Sequence, residues 1–411
     1  MERVVVTGLG VASPLGCTVE EFWTNLVAGG SGVVALADPA YAKLRSRIGA
    51  RLAGFDEQQH FDSKEVRRMS RSSLMALLAS AQAVDQARLA RDGVDPREVG
   101  VIIGSSIGGF AASDHYFKTY YERATASPYT IPVSMNVGPS SNVSIRYGFQ
   151  GPLMTVDAAC ASAAHSIGYC YNLIRTGLLD VAVTGGADCP FAPGVVSAWC
   201  ALRALSERND EPATASRPFS QDRDGMVLGE GAGVLILESE TSARRRGQPI
   251  LAEVLGYGAT GDSHHLTQPS PEGPARAMAR AIKDAGLTIG DVDWINAHGT
   301  ATDWNDKTET AAIKHVFGER AWDTPVVGLK GALGHAIAAS AALQAVSSIL
   351  SLRDQLLPPT INYRVPDPDC DLDYVTEGAR RQPVKTILNN SFAFGGSNSA
   401  LVFGRYDPAE A

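Results

Sequence analysis

Short runs of β-branched residues alternate with alanine-rich stretches along the whole chain, and this alternation constrains the fold more than any other feature of the sequence. It is typical of layered α/β proteins, in which strands buried on both faces are apolar throughout. The runs predict strands at residues 3–8, 99–106, 154–157, 181–187 and 231–239, and then at 251–260, 293–299, 325–331, 386–392 and 399–405.

Apolar residues at helical spacing predict helices at residues 71–90, 161–176, 273–285, 307–316 and 335–352. The two halves of the chain have a similar order of elements. Each ends in an apolar strand that follows glycines, "GEGAGVLILE" at 229–238 and "GGSNSALVFG" at 395–404. We therefore expect a duplicated fold that divides near residue 250, with an N-terminal half at 1–250 and a C-terminal half at 251–411, although no close repeat of residues supports the division.

Composition excludes several classes of protein. The formal net charge of −8 leaves no basic surplus to neutralise phosphates, so we expect no nucleic-acid partner. No apolar run approaches the roughly 20 residues that span a bilayer, and "MERVVVTGLG" runs directly into a strand pattern, so we expect neither a membrane association nor a signal peptide. None of the six cysteines forms a CxxC pair or lies at zinc-ligand spacing with a histidine, which predicts no metal site and a reduced, cytoplasmic protein.

Cys160 lies in "VDAACASAAHSIGYC" (156–170), between a predicted strand and a predicted helix. A cysteine at a helix N-terminus is exposed to the positive end of the helix dipole, which lowers the thiol pKa and favours a nucleophilic thiolate. Small neighbours on both sides would allow a sharp turn. A cysteine among alanines is more often core packing, however, so this stretch alone leaves both interpretations open.

Two histidines favour the nucleophile. His298 lies at the end of a predicted strand in "NAHGTATDWNDKTE" (296–309), and His335 follows a glycine at the predicted start of a helix in "GLKGALGHAIAASAAL" (328–343), with Lys330 upstream on the preceding strand. The carboxyl ends of strands in an α/β sheet converge on one crevice, where a helix N-terminus would keep an imidazole neutral. The other histidines, at positions 60, 115, 165, 264, 265 and 315, are interpreted as ordinary core or surface residues.

Glycines surround an aromatic residue in "NNSFAFGGSNSALVF" (389–403), directly after a predicted strand. Such a turn can direct backbone N–H groups into a cavity, as an oxyanion hole requires. An ordinary glycine turn with core phenylalanines is the alternative.

Five separated motifs resemble the β-ketoacyl-acyl-carrier-protein synthases, the condensing enzymes of fatty-acid and polyketide synthesis. They are "VVVTGLGVASPLG", "VDAACAS", "SRPFSQDRDGMVLGEGAGVLILE", "NAHGTATDWND" with "KGALGH", and "NSFAFGGSN". The resemblance spans essentially the whole chain and is closest to the elongating type with a Cys-His-His set. It implies an α/β fold of the thiolase-like, duplicated kind, layered α-β-α-β-α, and an acyltransferase that condenses malonyl-ACP with an acyl chain.

The resemblance implies a role for each matching residue. Cys160 matches the nucleophile that receives the acyl chain, and His298 and His335 match the pair that stabilises the malonyl enolate. Lys330 and Glu309 match a charged pair that orients the histidines. The aromatic gate matches Phe394, whose backbone N–H joins that of Cys160 in the oxyanion hole, and the residues that bind the pantetheine arm match Thr300 and Thr302.

Three positions depart from the family pattern. The family usually has KSxxGH and FGFGGTN, whereas this chain has Gly331 after the lysine and Ala393 and Ser397 in the glycine loop. A Cβ at residue 393 restricts the backbone of the loop relative to glycine. The stretch after His335 reads "AIAASAA" where many members of the family have glycines, which indicates a divergent member of specialised metabolism.

The same resemblance suggests where substrate and partner bind. Ile107 and Trp199 match positions that line or close the acyl pocket, although Trp199 is also compatible with plain core packing. Arg67, Arg68 and Arg203 match a docking patch for the acidic acyl carrier protein. We expect no cofactor, because both substrates arrive on the carrier's phosphopantetheine, and we expect a homodimer or a heterodimer with a homologous chain-length-factor-like subunit.

Two alternatives remain. The chain could itself be a non-catalytic, chain-length-factor-like partner, which the presence of Cys160, His298 and His335 disfavours. A thiolase-like degradative enzyme would need a second catalytic cysteine in the C-terminal glycine loop, and "SFAFGGSN" contains none.

Overall fold

The computed structural model describes residues 1–52, 54–89 and 94–408. Its strands are β1 (Val4–Ala12), β2 (Val33–Ala35), β3 (Ile48–Ala50), β4 (Val99–Gly104), β5 (Leu153–Val156), β6 (Val181–Asp188), β7 (Gly231–Ser239), β8 (Ala252–Gly261), β9 (Trp294–Asn296), β10 (Val326–Val327), β11 (Leu356–Leu357), β12 (Arg380–Arg381), β13 (Thr386–Ala393) and β14 (Ser397–Gly404). Its helices are α1 (Val19–Val27), α2 (Glu57–His60), α3 (Ser63–Arg68), α4 (Arg71–Gln86), α5 (Phe110–Arg123), α6 (Thr130–Ser134), α7 (Gly138–Tyr147), α8 (Ser162–Arg175), α9 (Pro193–Ala201), α10 (Glu240–Arg245), α11 (Glu272–Asp284), α12 (Asp303–Phe317), α13 (Lys330–Leu333) and α14 (Ser340–Asp354).

The ten predicted strands form one large mixed sheet in the order β10-β9-β13-β14-β8-β1-β7-β6-β4-β5. Each half contributes five of them in the same spatial order, with three parallel strands followed by two antiparallel ones. The halves meet where Val4–Val6 of β1 pair with 252–254 of β8. This repetition confirms the duplicated α/β fold, whereas a boundary at residue 250 stays a prediction.

Helices form three layers around the two half-sheets. The middle layer consists of α8 and α14, which pack against each other and against strands of both halves. The outer layers consist of α4 on the N-terminal half-sheet and α11 on the C-terminal one. α4 lies very close to β1, since a Cβ at Gly10 would lie 1.8 Å from the Ala79 carbonyl oxygen. The α-β-α-β-α layering is the one predicted.

The helical middle layer explains why residues 340–352 are small or apolar with the exception of Gln344: every one of them is buried. The helix nevertheless begins at Ser340 and not at residue 335, as the periodicity predicts. Gly334 and Ile337 have φ angles of +62° and +45°, in the left-handed region that interrupts a helix. His335 therefore precedes the helix, on an irregular turn.

Two further predictions need correction or restriction. The strand predicted at 325–331 covers only Val326–Val327, and Lys330 opens the short helix α13 instead of lying on a strand. The helix predicted at 71–90 ends at Gln86, and residue 90 lies outside the described residues, as do residues 409–411 of the predicted C-terminal half. Within the described ranges, no helix is long and apolar enough to cross a membrane, and no three potential metal-ligating side chains cluster.

Candidate active site

Cys160 lies on a tight turn, Ala159–Ala161, that leads from β5 into α8. Ala159 has a φ of +48°, a left-handed conformation that costs a non-glycine residue roughly 1–3 kcal/mol. A similar turn, Ile337–Ala339, leads into α14 in the other half, and the two turns contact each other. The duplicated fold thus brings the segment after His335 against the segment that contains Cys160.

The Cys160 thiol is only 6% exposed, and this burial raises its pKa to about 12. The positive charge of Lys330 and the backbone N–H groups of Cys160 and Phe394 oppose the increase in pKa without overcoming it. The expectation of a lowered thiol pKa is therefore wrong for the free protein, because the loss of hydration outweighs the favourable position before a helix. Cys160 rests as a thiol.

The imidazole rings of His298 and His335 lie together, with their centroids 5.5 Å apart and their planes nearly perpendicular. Both are almost fully buried, and burial together with the charge of Lys330 lowers the pKa of each well below the usual value. The neutral imidazoles that the sequence predicts are confirmed. Their main cause is burial and not a helix N-terminus.

Hydrogen bonds determine which nitrogen of each ring has the proton. His335 Nδ1 accepts the backbone N–H of Ile337 at 3.1 Å, so the proton of the neutral ring is on Nε2. His298 Nδ1 lies 3.4 Å from Lys330 Nζ, and an ammonium group can only donate. Both rings therefore present an Nε2–H group as a donor.

Glu309 and Lys330 fix His298 through its backbone. The two carboxylate oxygens of Glu309 accept the N–H groups of His298 and Gly299, each at 2.8 Å, and Asn390 donates to the same carboxylate at 3.1 Å. Lys330 Nζ donates to the His298 carbonyl oxygen. In the described structure Glu309 and Lys330 form no direct ion pair, so the expected pair acts on His298 from two separate positions.

The buried environment shifts the titration of both groups towards neutrality. Burial lowers the pKa of Lys330 to about 8, although the charge of Glu309 partly opposes this. Burial likewise raises the pKa of Glu309, against its three hydrogen-bond donors. Lys330 Nζ also donates to the Gln344 side-chain oxygen at 3.1 Å, which gives the ammonium group a second oxygen acceptor.

Phe394 lies at the tip of the β13–β14 hairpin, followed by Gly395 and Gly396 with φ angles of +83° and +73°. These angles require glycine, and they place the Phe394 backbone N–H near enough to Cys160 to lower the pKa of its thiol. The Phe394 ring is 38% exposed and stacks on Trp199 at a centroid distance of 6.0 Å. Trp199 is half-buried on α9, where it packs against the core and also contacts the proposed gate.

The other predicted binding residues lie in three places. Ile107 is buried in the loop after β4, where its backbone N–H donates to Asp188 at 3.2 Å. The hydroxyl oxygens of Thr300 and Thr302 lie 2.8 Å apart after His298, and Thr302 also caps α12. The three predicted docking arginines lie in the third place, on the outer surface.

Arg67, Arg68 and Arg203 are exposed and lie away from Cys160 in the fold, at the end of α3 and just after α9. The α5 helix connects the two places, since Tyr116 of α5 donates to the Arg67 carbonyl oxygen at 3.5 Å and α5 packs against α9. The three arginines therefore flank a single outer surface.

Sequence reasoning missed three buried polar residues of the site. Asp188, at the end of β6, accepts the N–H groups of Ser106, Ile107 and Ala338, and burial raises its pKa to about 7. Asn390 and Gln344 hold Glu309 and Lys330. The paired asparagines in the otherwise apolar "ILNNSF" were a sequence signal for Asn390, because buried polar groups need partners.

Two family departures have a local explanation. A Cβ at Gly331 would lie 3.0 Å from both the Cγ1 and the carbonyl oxygen of Ile361, so a serine would be crowded there. Ala393 has an extended backbone, φ −138° and ψ 154°, which any residue adopts without strain.

Two family models match consecutive parts of the chain. The family models of the beta-ketoacyl synthase N-terminal and C-terminal domains match residues 1–243 and 251–364. The chain belongs to the beta-ketoacyl synthase family. A 3-oxoacyl-[acyl-carrier-protein] synthase 2 from Synechocystis sp. is 39% identical over 409 residues, which cover 98% of each chain. The resemblance stated from the motifs is confirmed, and this ketosynthase is an enzyme of the acyltransferase type.

Solved structures of ketosynthases superpose on the whole chain. The ishigamide ketosynthase/chain length factor is 35% identical with a TM-score of 0.92, and the alignment covers 99% of this chain and 100% of that one. A structure of a type II PKS acyl-carrier protein in complex with its ketosynthase bound to the hexaketide is 33% identical with a TM-score of 0.92, and covers 98% and 100%. The thiolase-like fold and the elongating ketosynthase function are confirmed by these similarities.

Proposed function

We propose that this ketosynthase condenses malonyl-ACP with an acyl chain bound to Cys160, by decarboxylative Claisen chemistry, in fatty-acid or type II polyketide elongation. One observation supports it above the others. Two neutral imidazoles, each with its proton on Nε2, lie in a buried site with a cysteine whose thiol pKa the backbone N–H of Phe394 lowers. A non-catalytic partner subunit would need none of these groups.

The first step is acyl transfer. Cys160 Sγ attacks the carbonyl carbon of the acyl thioester, the carbon–sulfur bond to the pantetheine arm breaks, and the departing thiol takes the proton that Cys160 loses. The N–H groups of Cys160 and Phe394 donate to the oxyanion. The thiolate forms only as the reaction proceeds, since the free thiol has a pKa of about 12 and the charge of Lys330 favours its ionisation.

The second step generates a carbanion without a strong base. The bond between the malonyl carboxylate and its α carbon breaks, CO₂ leaves, and the electron pair remains as an enolate. The Nε2–H groups of His298 and His335 donate to the enolate oxygen, and each such donor is typically worth about 3–4 kcal/mol. The α carbon then attacks the thioester on Cys160, whose sulfur leaves and recovers a proton.

Both substrates would arrive on carrier-bound pantetheine, so we propose that the enzyme uses no cofactor. The hydroxyl groups of Thr300 and Thr302 lie next to His298, where they can bind the arm. Arg67, Arg68 and Arg203 are exposed cations around α5, and they suit an acidic carrier protein. An acyl carrier protein binds a ketosynthase in one of the similar solved structures, which agrees with this assignment.

We further propose a dimer through the edge of the sheet. β5 is the last strand on its side of the sheet, and Leu153 and Met154 on it are 46% and 37% exposed, with Ile145 of α7 77% exposed nearby. An unpaired edge strand with apolar side chains is a surface that a second chain can cover. The partner would be a second copy or a homologous chain-length-factor-like subunit, and the ishigamide ketosynthase pairs with a chain length factor.

The division into halves at 1–250 and 251–411 and the location in the cytoplasm are also part of the proposal. All six cysteines are free thiols, as a reducing compartment maintains them.

The test of function uses purified protein with malonyl-ACP and a set of acyl-ACPs of different lengths, followed by intact-protein mass spectrometry. We expect the carrier-bound acyl chain to grow by the mass of a malonyl unit less CO₂. The Cys160→Ala variant should give no extended product, and Cys170→Ala, at a buried cysteine of the helix that follows Cys160, serves as the matched control. Elongation by Cys160→Ala would overturn the proposal.

A further inference from the structure

His165 connects the nucleophile helix to the base of the Phe394 loop. It lies on α8, which begins just after Cys160. His165 Nδ1 lies 2.5 Å from the Tyr257 hydroxyl oxygen, and His165 Nε2 lies 2.9 Å from the Ser397 hydroxyl oxygen. The ring therefore uses both nitrogens to link two strands of the C-terminal half.

Ser397 occupies a particular position in the loop. It is the first residue of β14 and pairs across the hairpin with Ala393, so that the two residues form the base and Phe394–Gly396 form the tip. The Phe394 N–H that contacts Cys160 lies at this tip. A shift at Ser397 moves that N–H relative to the thiol, because the glycines between them offer no side chains to anchor the tip.

The tip has other contacts besides those at its base: the Asn398 side-chain amide donates to the Gly396 carbonyl oxygen at 3.1 Å, the Phe394 ring stacks on Trp199, and the 262–266 segment contributes two backbone hydrogen bonds. Gly395 N–H donates to the Leu266 carbonyl oxygen at 2.7 Å, and the Asp262 N–H donates to the Gly396 carbonyl oxygen at 2.9 Å. Leu266 is 71% exposed, so this anchoring segment lies at the surface. His165 differs from these contacts because it belongs to the helix that begins just after the nucleophile.

Tyr257 fixes the orientation of the His165 ring. The two rings meet edge to face at a centroid distance of 6.0 Å, and the tyrosine ring packs against Gly168, where a Cβ would lie 2.3 Å from it. Burial lowers the pKa of His165, so the ring is neutral and has one donor and one acceptor nitrogen for its two hydroxyl partners. The arrangement is fully hydrogen-bonded on both sides of the ring.

We propose that His165 is a positioning residue that sets the distance between the Phe394 N–H and the Cys160 sulfur by holding Ser397. The inference rests on the proposed function. It assigns His165 to the oxyanion hole of acyl transfer and not to enolate formation, since the contacts that fix His298 and His335 involve neither His165 nor Ser397.

This separation gives a test that a merely structural role would not pass. We would measure single-turnover acylation of Cys160 from acyl-ACP in wild type, Ser397→Ala and Ser397→Thr, and malonyl-ACP decarboxylation in the Cys160→Gln background with and without Ser397→Ala. Ser399→Ala is the matched control, because Ser399 lies on the same strand and its buried hydroxyl has no hydrogen-bond partner within the described ranges.

We expect Ser397→Ala to slow acylation about tenfold, as a displaced oxyanion donor should, and to change decarboxylation by less than about twofold. Ser397→Thr keeps the hydroxyl and should restore acylation, while Ser399→Ala should match wild type. Equal rates in Ser397→Ala and wild type, an equal loss in both assays, or no recovery with threonine would each overturn the inference. A wild-type protein that is never acylated would instead overturn the proposed function, and the inference with it.

Two substitutions of His165 refine the test. In His165→Gln the amide reaches the position of Nε2 and can still bond Ser397, whereas in His165→Asn it reaches only the position of Nδ1 and Tyr257. We expect acylation by His165→Gln to exceed that by His165→Asn. The reverse order would contradict a role through Ser397.

Discussion

Glu309→Gln is the substitution that tests how the site fixes His298. The change keeps the shape of the side chain and removes one acceptor. In the wild type, the two oxygens accept the N–H groups of His298 and Gly299 at 2.8 Å each, and Asn390 shares the first oxygen. A glutamine can accept with one oxygen only, so its NH₂ group must face an N–H donor at a distance that suits a hydrogen bond.

The magnitude follows from the unpaired groups. Glu309 is fully buried, so water cannot replace the lost acceptor. One backbone N–H and one amide N–H remain unsatisfied, at about 1–3 kcal/mol each, which gives roughly 2–6 kcal/mol of lost stability. For 411 residues the unfolding entropy is about 0.9 kcal/mol/K, so the melting temperature should fall by roughly 2–7 °C.

Glu309→Gln should affect catalysis more strongly than stability, because it displaces the backbone of His298. We expect malonyl decarboxylation to fall roughly 10- to 100-fold, between an intact and a lost enolate donor. Removing the Glu309 charge also removes a group that raises the pKa of Lys330, so the alkaline limit of the rate should move to lower pH.

The assay follows CO₂ release from malonyl-ACP across pH 6–9, with thermal unfolding of the same samples. Glu319→Gln, at an exposed acidic residue after α12, is the control and should match wild type in both. A Glu309→Gln enzyme with wild-type stability and wild-type decarboxylation would refute the hydrogen-bonding account of His298.

Three further substitutions test other parts of the site. Lys330→Met removes the donor to the His298 carbonyl oxygen and the positive charge near Cys160. Both decarboxylation and acylation should therefore fall at least several-fold. An unchanged rate in either assay would contradict the role of Lys330 in that step. Asp188 has a folded-state pKa near 7, above its unfolded value, so its contribution to wild-type stability is lost as pH rises from about 4 to 7. In chemical denaturation, Asp188→Asn should reduce the slope of this loss by up to about 1.4 kcal/mol per pH unit. An unchanged slope would contradict the raised pKa of Asp188. Gly331→Ser restores the family residue but crowds Ile361, so it should cost about 1–3 kcal/mol of stability, and a more stable variant would show that the neighbour yields.

The sheet was predictable because its strands are buried. All ten predicted strands occur in it, since a run of β-branched residues between glycines has few other structures available. The sequence predicts that α14 begins at residue 335, whereas it begins at Ser340, and the difference has a physical reason. Residues 336–339 are alanines and an isoleucine, like many residues of α14, and the left-handed φ angles of Gly334 and Ile337 separate the turn from the helix.

The site was predictable to the extent that motifs marked it. Cys160, His298 and His335 follow strands or glycines in recognisable patterns, and the fold brings their segments together from both halves. The thiol pKa was not predictable, because local position favours the thiolate while burial, a tertiary property, opposes it. Asp188 and the link from His165 to Ser397 likewise depend on contacts between distant segments.

The most direct measurement is the mass of the Cys160 peptide after the protein is mixed first with acyl-ACP and then with malonyl-ACP. The account predicts that the peptide gains the acyl mass in the first step and loses it in the second, as a β-ketoacyl chain appears on the carrier protein with release of CO₂. An acyl group on another residue, or condensation without any acylation of Cys160, would contradict it.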